Sequence, residues 1–169
     1  DDYDQAVAYL FQKYTEGDKE AEATLSSGVY DDAGRFSYAS GVHPWCSGVG
    51  GCAMFRVNAD PDVTDTSYPL NKARHDWSAA ARNSYTVWPL EGEFVDCFSD
   101  DGNVLDFRTA HWAATDIPLT FRTSDRRAAL PILFSTIEFV RCLAAVVHDN
   151  LGKWVMINGA AVDTPWGVF

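Results

Sequence analysis

The sequence predicts an α+β protein in which an N-terminal helix and a second helix pack on a mainly antiparallel β-sheet. Two stretches carry apolar residues at helical spacing, and several short β-prone runs are bounded by turn-forming residues. The chain has 169 residues, of which 47% are apolar and 14% aromatic. This composition is enough to build one core, so we expect a single domain over residues 1–169.

The N-terminal helix is predicted from an apolar stripe that ends before Gly17. Aspartates open this stretch, and a glycine is suited to close it. A short acidic helical turn is expected over residues 19–25. The second helix is predicted over residues 69–82, with Pro69 at a first helical position. The residues of the N-terminal stripe are Tyr3, Ala6, Val7, Leu10, Phe11 and Tyr14.

Short strands are predicted around and after the second helix. Asp101-Gly102 lies between two β-prone runs, which is a strong hairpin pattern. A surface loop is expected over residues 58–67, because this segment holds Pro61 and several turn-forming polar residues. The predicted strands cover residues 36–38, 53–57, 85–90, 93–98, 103–109 and 117–123.

Residues 133–147 fit two interpretations. They could form a buried helix, or their last residues could enter a second hairpin with residues 154–157 around a turn at 149–153. We favour the hairpin, because β-prone runs flank that turn on both sides.

The charge of the chain excludes several classes of partner. Its formal net charge is −11, which repels phosphate backbones and anionic lipid headgroups. Non-specific nucleic-acid binding is therefore not expected, although a small basic site is compatible with the adjacent pair Arg126 and Arg127. No apolar run is long enough to suggest a membrane span.

The cysteines and the first residues indicate secretion. The four cysteines Cys46, Cys52, Cys97 and Cys142 form an even set in an acidic, Trp-rich chain, which suggests disulfides in an oxidising compartment. We favour the pairs Cys46–Cys52 and Cys97–Cys142, and four free thiols in a cytosolic protein are the alternative. A start at Asp1-Asp2-Tyr3 is what remains after a signal peptide is removed, and a trimmed chain looks the same.

Standard catalytic and cofactor motifs are absent from the sequence. It has no phosphate-binding loop, dinucleotide fingerprint, nucleophile elbow or zinc motif, so we predict no cofactor and no metal site. If the protein is an enzyme, His111 is the best acid/base candidate, with Glu93 and Asp106 as carboxylate partners. The candidate binding residues are Tyr68, Trp88, Arg108 and Trp112.

The segment Ser67-Tyr68-Pro69, followed by Tyr85-Thr86-Val87-Trp88-Pro89-Leu90, resembles the guanyl-specific fungal ribonucleases. In that family a Tyr-Pro-His segment opens the sheet, and a strand of the type Tyr-x-Glu-Trp-Pro-Ile follows. A later hairpin carries an arginine and leads to a histidine. Here residues 95–111, or alternatively 146–157, would be that hairpin.

The resemblance implies a scaffold without the family's catalytic residues. Tyr68 matches the family's tyrosine. The remaining catalytic positions fall on apolar residues, which cannot transfer a proton or stabilise charge on a phosphate. Those residues are Leu70, Val87, Val95 (or Ala145 in the alternative hairpin) and Ala110, with His111 one place away.

Inactive scaffolds of this kind resemble the ribonuclease-like secreted effectors, or virulence proteins, of plant-pathogenic fungi. The first hypothesis is therefore a secreted, non-catalytic binding protein that acts on a host protein inside or beside host cells. The alternative is a secreted hydrolase or nuclease that uses His111 and a nearby carboxylate. A second alternative is a structural subunit of a virion or an extracellular assembly.

Overall fold

The computed structural model describes residues 2–41, 52–77, 85, 87–96 and 104–159. It confirms the α+β class. The helices are α1 (Asp2–Thr15), α2 (Lys19–Ser27), α3 (Lys72–Asp76), α4 (Thr109–Trp112) and α5 (Ile132–Ala144), which continues as a π-helical segment over Ala145–Asn150. The strands are β1 (Tyr38–Gly41), β2 (Cys52–Phe55), β3 (Gly92–Val95), β4 (Leu105–Asp106), β5 (Thr120–Phe121), β6 (Ala128–Pro131) and β7 (Trp154–Ile157).

The two N-terminal helices confirm the local sequence patterns. The stripe of α1 buries Leu10, and Tyr3, Val7 and Tyr14 pack beside it against the core, whereas Phe11 of the predicted stripe is exposed. Helix α2 is longer than the predicted turn, because Asp18 caps it and its last residues are buried. The Asp18 carboxylate accepts hydrogen bonds from the backbone N–H groups of Glu20 and Ala21, at 2.8 and 3.1 Å, as expected of an N-cap.

The strands form small separate sheets within the described residues. β1 pairs antiparallel with β2, and β6 lies between β4 and β5, antiparallel to both. β3 and β7 are parallel. The prediction of mainly antiparallel pairing is therefore confirmed, with β3–β7 as the exception.

Both predicted hairpins are wrong. β3 pairs with β7 and β4 with β6, so the described parts of the two predicted strands, residues 93–96 and 104–109, lie in different sheets instead of pairing with each other as the Asp-Gly pattern predicted. Residues 132–150 are helical, which was the disfavoured alternative. The reason is burial: Ile137 and Val140 on α5 pack against Val95 and Ile157, so the helix covers one face of the β3–β7 sheet.

The middle of the chain also differs from its predicted elements. Tyr85 and Val87 are helical rather than extended. Helix α3 begins at Lys72 because the Asn71 side chain caps it, accepting a hydrogen bond from the Arg74 N–H at 2.9 Å. The rest of the helix predicted over residues 69–82 lies outside the described residues beyond Trp77.

Residues 58–67 form a loop, but not a surface loop throughout. Asn58, Asp60 and Val63 are buried. The side chains of Asn58 and Asp60 accept hydrogen bonds from backbone N–H groups two residues further along, at 3.1 and 2.9 Å. These Asx turns satisfy the backbone locally, which lets a polar loop enter the core.

Arg126 has an unusual backbone conformation at the tip of the β5–β6 hairpin. Its φ is 62°, the only positive φ of a non-glycine residue among the residues described. A left-handed conformation costs such a residue about 1–2 kcal/mol, and glycine avoids that cost but loses about 0.5–1 kcal/mol in chain entropy. Arg126→Gly is therefore expected to raise the free energy of unfolding by about 0.5–1 kcal/mol, measured by urea denaturation.

The matched control is Ser124→Gly in the same turn, where no positive φ is relieved. This variant is expected to leave stability unchanged or lower it. An equal gain in both variants would contradict the backbone argument.

Candidate functional site

The best acid/base candidate, His111, lies in the core and contacts Asp106. Both side chains are fully buried, with an exposed fraction of 0%. The His111 Nδ1 lies 2.5 Å from the Asp106 Oδ2, and its Nε2 lies 2.8 Å from the backbone oxygen of Ser26. A carbonyl oxygen can only accept, so Nε2 carries a proton, and a further proton lies between Nδ1 and the carboxyl group.

The Asp106 carboxyl group is saturated by other donors. Its Oδ1 accepts hydrogen bonds from the backbone N–H groups of Tyr30 and Arg108, at 3.1 and 3.0 Å. Its Oδ2 also accepts one from the Asn58 side chain, at 3.2 Å. Asp106 ends β4, and the bond to Arg108 turns the chain into α4, which carries His111. Local sequence thus brings the pair together, while Tyr30 and Asn58 come from distant segments.

Arg108 extends the same buried network. It is only 4% exposed, and its guanidinium donates to the backbone oxygens of Leu25 and Gly28, at 2.7 and 3.1 Å. Its other terminal nitrogen forms an ion pair with Asp65 at 2.7 Å. The guanidinium also lies 4.6 Å from the centre of the Tyr30 ring, a cation–π distance. We call His111, Asp106, Arg108, Asn58 and Asp65 the buried polar network.

The role of this network is to hold segments of the fold together. A general base must reach a proton of its substrate, but both ring nitrogens of His111 are bonded inside a fully buried site. The network instead joins the end of α2, the loop before α3 and the β4–α4 turn. The other candidate carboxylate, Glu93, is engaged elsewhere: it accepts a hydrogen bond from the Tyr85 hydroxyl at 2.6 Å.

The candidate binding residues fall into two groups. Arg108 is buried, and Tyr68 and Trp112 are half-buried. Tyr68 packs edge-to-face on Tyr14, and the Trp112 indole donates to the Asp106 backbone oxygen at 3.3 Å. These three residues support the core. Trp88 is exposed, so the binding role of the four residues stays a prediction.

The cysteine pairing stays a prediction. Cys142 is exposed on α5. Cys46 and Cys97 lie outside the described residues, and of Cys52 only the backbone, at the start of β2, is described.

One group of metal-ligand side chains lies between α2 and α3. Glu20, His75 and Asp76 offer three ligand atoms within 4.8 Å of one another. The Lys72 ammonium already lies 2.8 Å from the Glu20 carboxylate and 2.6 Å from that of Asp76. A lysine therefore supplies the positive charge here, and the group is better described as an ion-pair cluster than as a metal centre.

The buried carboxyl group of Asp60 gives a pH prediction. Burial raises its pKa, although its Oδ2 accepts a hydrogen bond from the Thr115 hydroxyl. A carboxyl whose pKa is higher in the folded state favours folding at low pH, and this contribution is lost as the pH rises through the folded pKa.

Asp60→Asn is accordingly expected to be more stable than the wild type at pH 7, because the folded state disfavours the charged carboxylate. The amide keeps an acceptor for the Asp62 N–H without a buried charge. The difference should shrink below the ordinary aspartate pKa of about 4. Urea denaturation of both proteins at pH 7 and pH 3.5 measures it; a difference that does not change with pH would contradict the burial argument.

The exposed face of the β3–β7 sheet carries three large apolar side chains. Phe94, Trp154 and Met156 are 53%, 73% and 61% exposed, and their neighbours Val95 and Ile157 point the other way, onto α5. The alternation follows from the pleat of a strand. We call Phe94, Trp154 and Met156 the apolar face.

Gly92 shapes the apolar face. It pairs with Trp154, and a Cβ atom at Gly92 would come within 2.2 Å of the Trp154 backbone oxygen. The absence of a side chain lets the two strands approach at this point. A cavity of about 640 Å³ opens there, lined by residues 91–94 and 154–157.

Sequence reasoning missed this face. Phe94, Trp154 and Met156 lay in predicted strands, but which side of a strand meets the solvent depends on α5, which was expected to end in a hairpin.

No helix among the described residues is long and apolar enough to cross a bilayer. Comparisons of the chain with family models, curated protein sequences and solved structures found no match.

Proposed function

We propose that this protein is a secreted binding protein of effector type, ribonuclease-like in origin, that acts on a host protein without catalysis. The observation that carries the binding role is the apolar face. Its members Phe94, Trp154 and Met156 leave more than half of their side-chain surface in water. Contiguous exposed apolar surface on a folded protein marks a site of interaction.

The composition of the apolar face favours a protein partner. Tryptophan is among the commonest hot-spot residues, and aromatic residues and methionine are enriched at protein interfaces. The other side of the same sheet packs against α5, so the fold holds the face in place before a partner binds.

Two observations support a role without catalysis. His111 is sealed in the buried polar network. The positions that match the catalytic residues of the fungal ribonucleases are apolar, as at Leu70 and Val87. RNA cleavage by the purified protein is expected not to exceed the buffer rate; activity that disappears in a folded His111 variant would support the nuclease alternative instead.

The binding role is tested with the double variant Phe94→Ser/Trp154→Ser. A partner identified from host extract with the wild-type protein is then titrated against wild type and variant. We expect the affinity to fall by about thirtyfold or more, since a hot-spot side chain contributes about 2 kcal/mol or more.

The matched control is Tyr9→Ser, which removes an exposed aromatic side chain from α1. It should bind the partner as the wild type does. Equal binding by all three proteins would contradict the assigned face. Light scattering of the wild type tests the assembly alternative: a large discrete particle that the double variant cannot form would favour a structural subunit.

A further inference from the structure

The tip of the β5–β6 hairpin is a second exposed site, remote in sequence from the apolar face. The hairpin is closed by backbone bonds: the Arg122 N–H donates to the Arg127 oxygen at 2.9 Å, and the Arg126 N–H donates to the Arg122 oxygen at 2.8 Å. Three arginines therefore lie within six residues at this tip, on a chain with a net charge of −11.

Two of the three arginines are held in place by the protein. Arg122 donates through Nε to Asp125 at 2.9 Å and through a terminal nitrogen to Asp32 at 2.5 Å. Arg127 donates to the backbone oxygen of Asp32. Both guanidinium groups lie against the Phe107 ring, at 5.1 and 5.2 Å from its centre. These contacts fix the hairpin tip.

The same contacts engage both carboxylates at the tip, Asp125 and Asp32, in ion pairs with Arg122. The bonds from Arg122 hold the pKa of Asp125 well below its usual range, and they lower that of Asp32. Both carboxylates are thus charged and paired with Arg122, so two carboxylates lie beside three arginines at the tip.

Arg126 is the exception. Its side chain is exposed, and the Arg126 guanidinium has no hydrogen-bond or ion-pair partner among the described residues. Its backbone is held in the left-handed region, where glycine or asparagine fits at lower cost. All five N–H groups of its guanidinium are therefore available to a ligand.

A recess of about 430 Å³ lies beside Arg126, lined by Phe121, Arg122 and Thr123. Phe121 is 65% exposed, so an aromatic face and an unpaired guanidinium border the same space. Arg122 spends three N–H groups on its carboxylates, which leaves two of the five that a guanidinium offers. Thr123 adds a hydroxyl.

This combination fits a phosphate on an aromatic ring. Guanidinium groups bind phosphate oxygens by paired hydrogen bonds, and aromatic rings pair by offset or edge-to-face contact. The net charge of −11 opposes a polyanion such as RNA, whereas one phosphate needs only the local charge.

We propose that the β5–β6 tip binds an aryl phosphate of the phosphotyrosine type, with Arg126 and Arg122 holding the phosphate and Phe121 contacting the ring. The probe is phenyl phosphate, titrated into the ¹⁵N-labelled full chain, with inorganic phosphate and AMP in parallel. Saturable shifts confined to residues 121–127 are expected, with phenyl phosphate binding more tightly than either comparison ligand.

Three variants separate the contributions. Arg126→Gly should weaken phenyl phosphate binding about tenfold or more, since a charged hydrogen bond contributes about 1.5–3 kcal/mol. Because this variant relieves backbone strain, unfolding cannot explain the loss. Phe121→Ser should remove the preference for phenyl phosphate over inorganic phosphate. Arg141→Gln, which changes an exposed arginine paired with Glu138, should leave binding unchanged.

The proposal is overturned if phenyl phosphate causes no saturable shift, if Arg126→Gly binds as the wild type does, or if AMP binds more tightly than phenyl phosphate. None of these results depends on the apolar face, so failure here leaves the proposed binding function standing.

Discussion

Replacing His111 with alanine is expected to lower the free energy of unfolding by about 3–5 kcal/mol, the cost of breaking a buried ion pair by removing one partner. The change leaves Asp106 in the core without the ring that lies 2.5 Å from its Oδ2. It also removes the donor to the Ser26 backbone oxygen and leaves a cavity. Urea denaturation, followed by tryptophan fluorescence, measures the loss.

His148→Ala is the matched control. His148 also lies next to an aspartate, at 3.0 Å from Asp149, but both side chains are mostly exposed. Exposed pairs contribute about 1 kcal/mol at most, so this variant should differ little from the wild type. A His111→Ala protein as stable as His148→Ala would show that the buried pair does not hold the fold together.

A double-mutant cycle with Asp106→Asn isolates the pair itself. The amide keeps an acceptor for the Tyr30 and Arg108 N–H groups and removes the charge. We expect the sum of the stability losses in the two single variants to exceed the loss in the double variant, because the effects of substituting residues in direct contact are not additive. Additive losses would indicate that His111 and Asp106 contribute separately.

The sequence predicted what is encoded locally. Helix α1 follows from its own apolar stripe, and α2 from the acidic turn capped by Asp18. The sequence also offers His111 as an acid/base candidate and Asp106 as one of its carboxylate partners. Their burial was not predictable, since it depends on Ser26 and Asn58, which long-range contacts bring to the pair.

The wrong predictions concern elements whose pairing depends on residues far away in the sequence. Residues 93–98 and 103–109 are both β-prone, and the Asp-Gly turn lies between them. Local rules therefore predict a hairpin. In the structure β3 pairs with β7 instead, because Val95 and Ile157 bury together against Ile137 and Val140 of α5. No local pattern records that contact, so both the sheet and the apolar face on its other side escaped prediction.

Arg108→Lys tests whether the buried polar network needs a guanidinium or only a positive charge. Lysine carries one ammonium group, whereas Arg108 reaches the Leu25 and Gly28 oxygens with one nitrogen and Asp65 with the other. A single nitrogen cannot occupy both places, so at least one buried acceptor loses its partner. That costs about 1–3 kcal/mol, and loss of the flat contact with Tyr30 adds to it.

We therefore expect Arg108→Lys to lower the free energy of unfolding by about 2–4 kcal/mol, although it conserves charge. Arg35→Lys is the control, because Arg35 forms an exposed ion pair with Asp31 and should lose no more than about 0.5 kcal/mol. If both lysine variants unfold at the wild-type urea concentration, charge alone suffices at position 108. A selective loss at Arg108 would mean that the bonding geometry of the guanidinium joins α2, the loop at Asp65 and the β4–α4 turn.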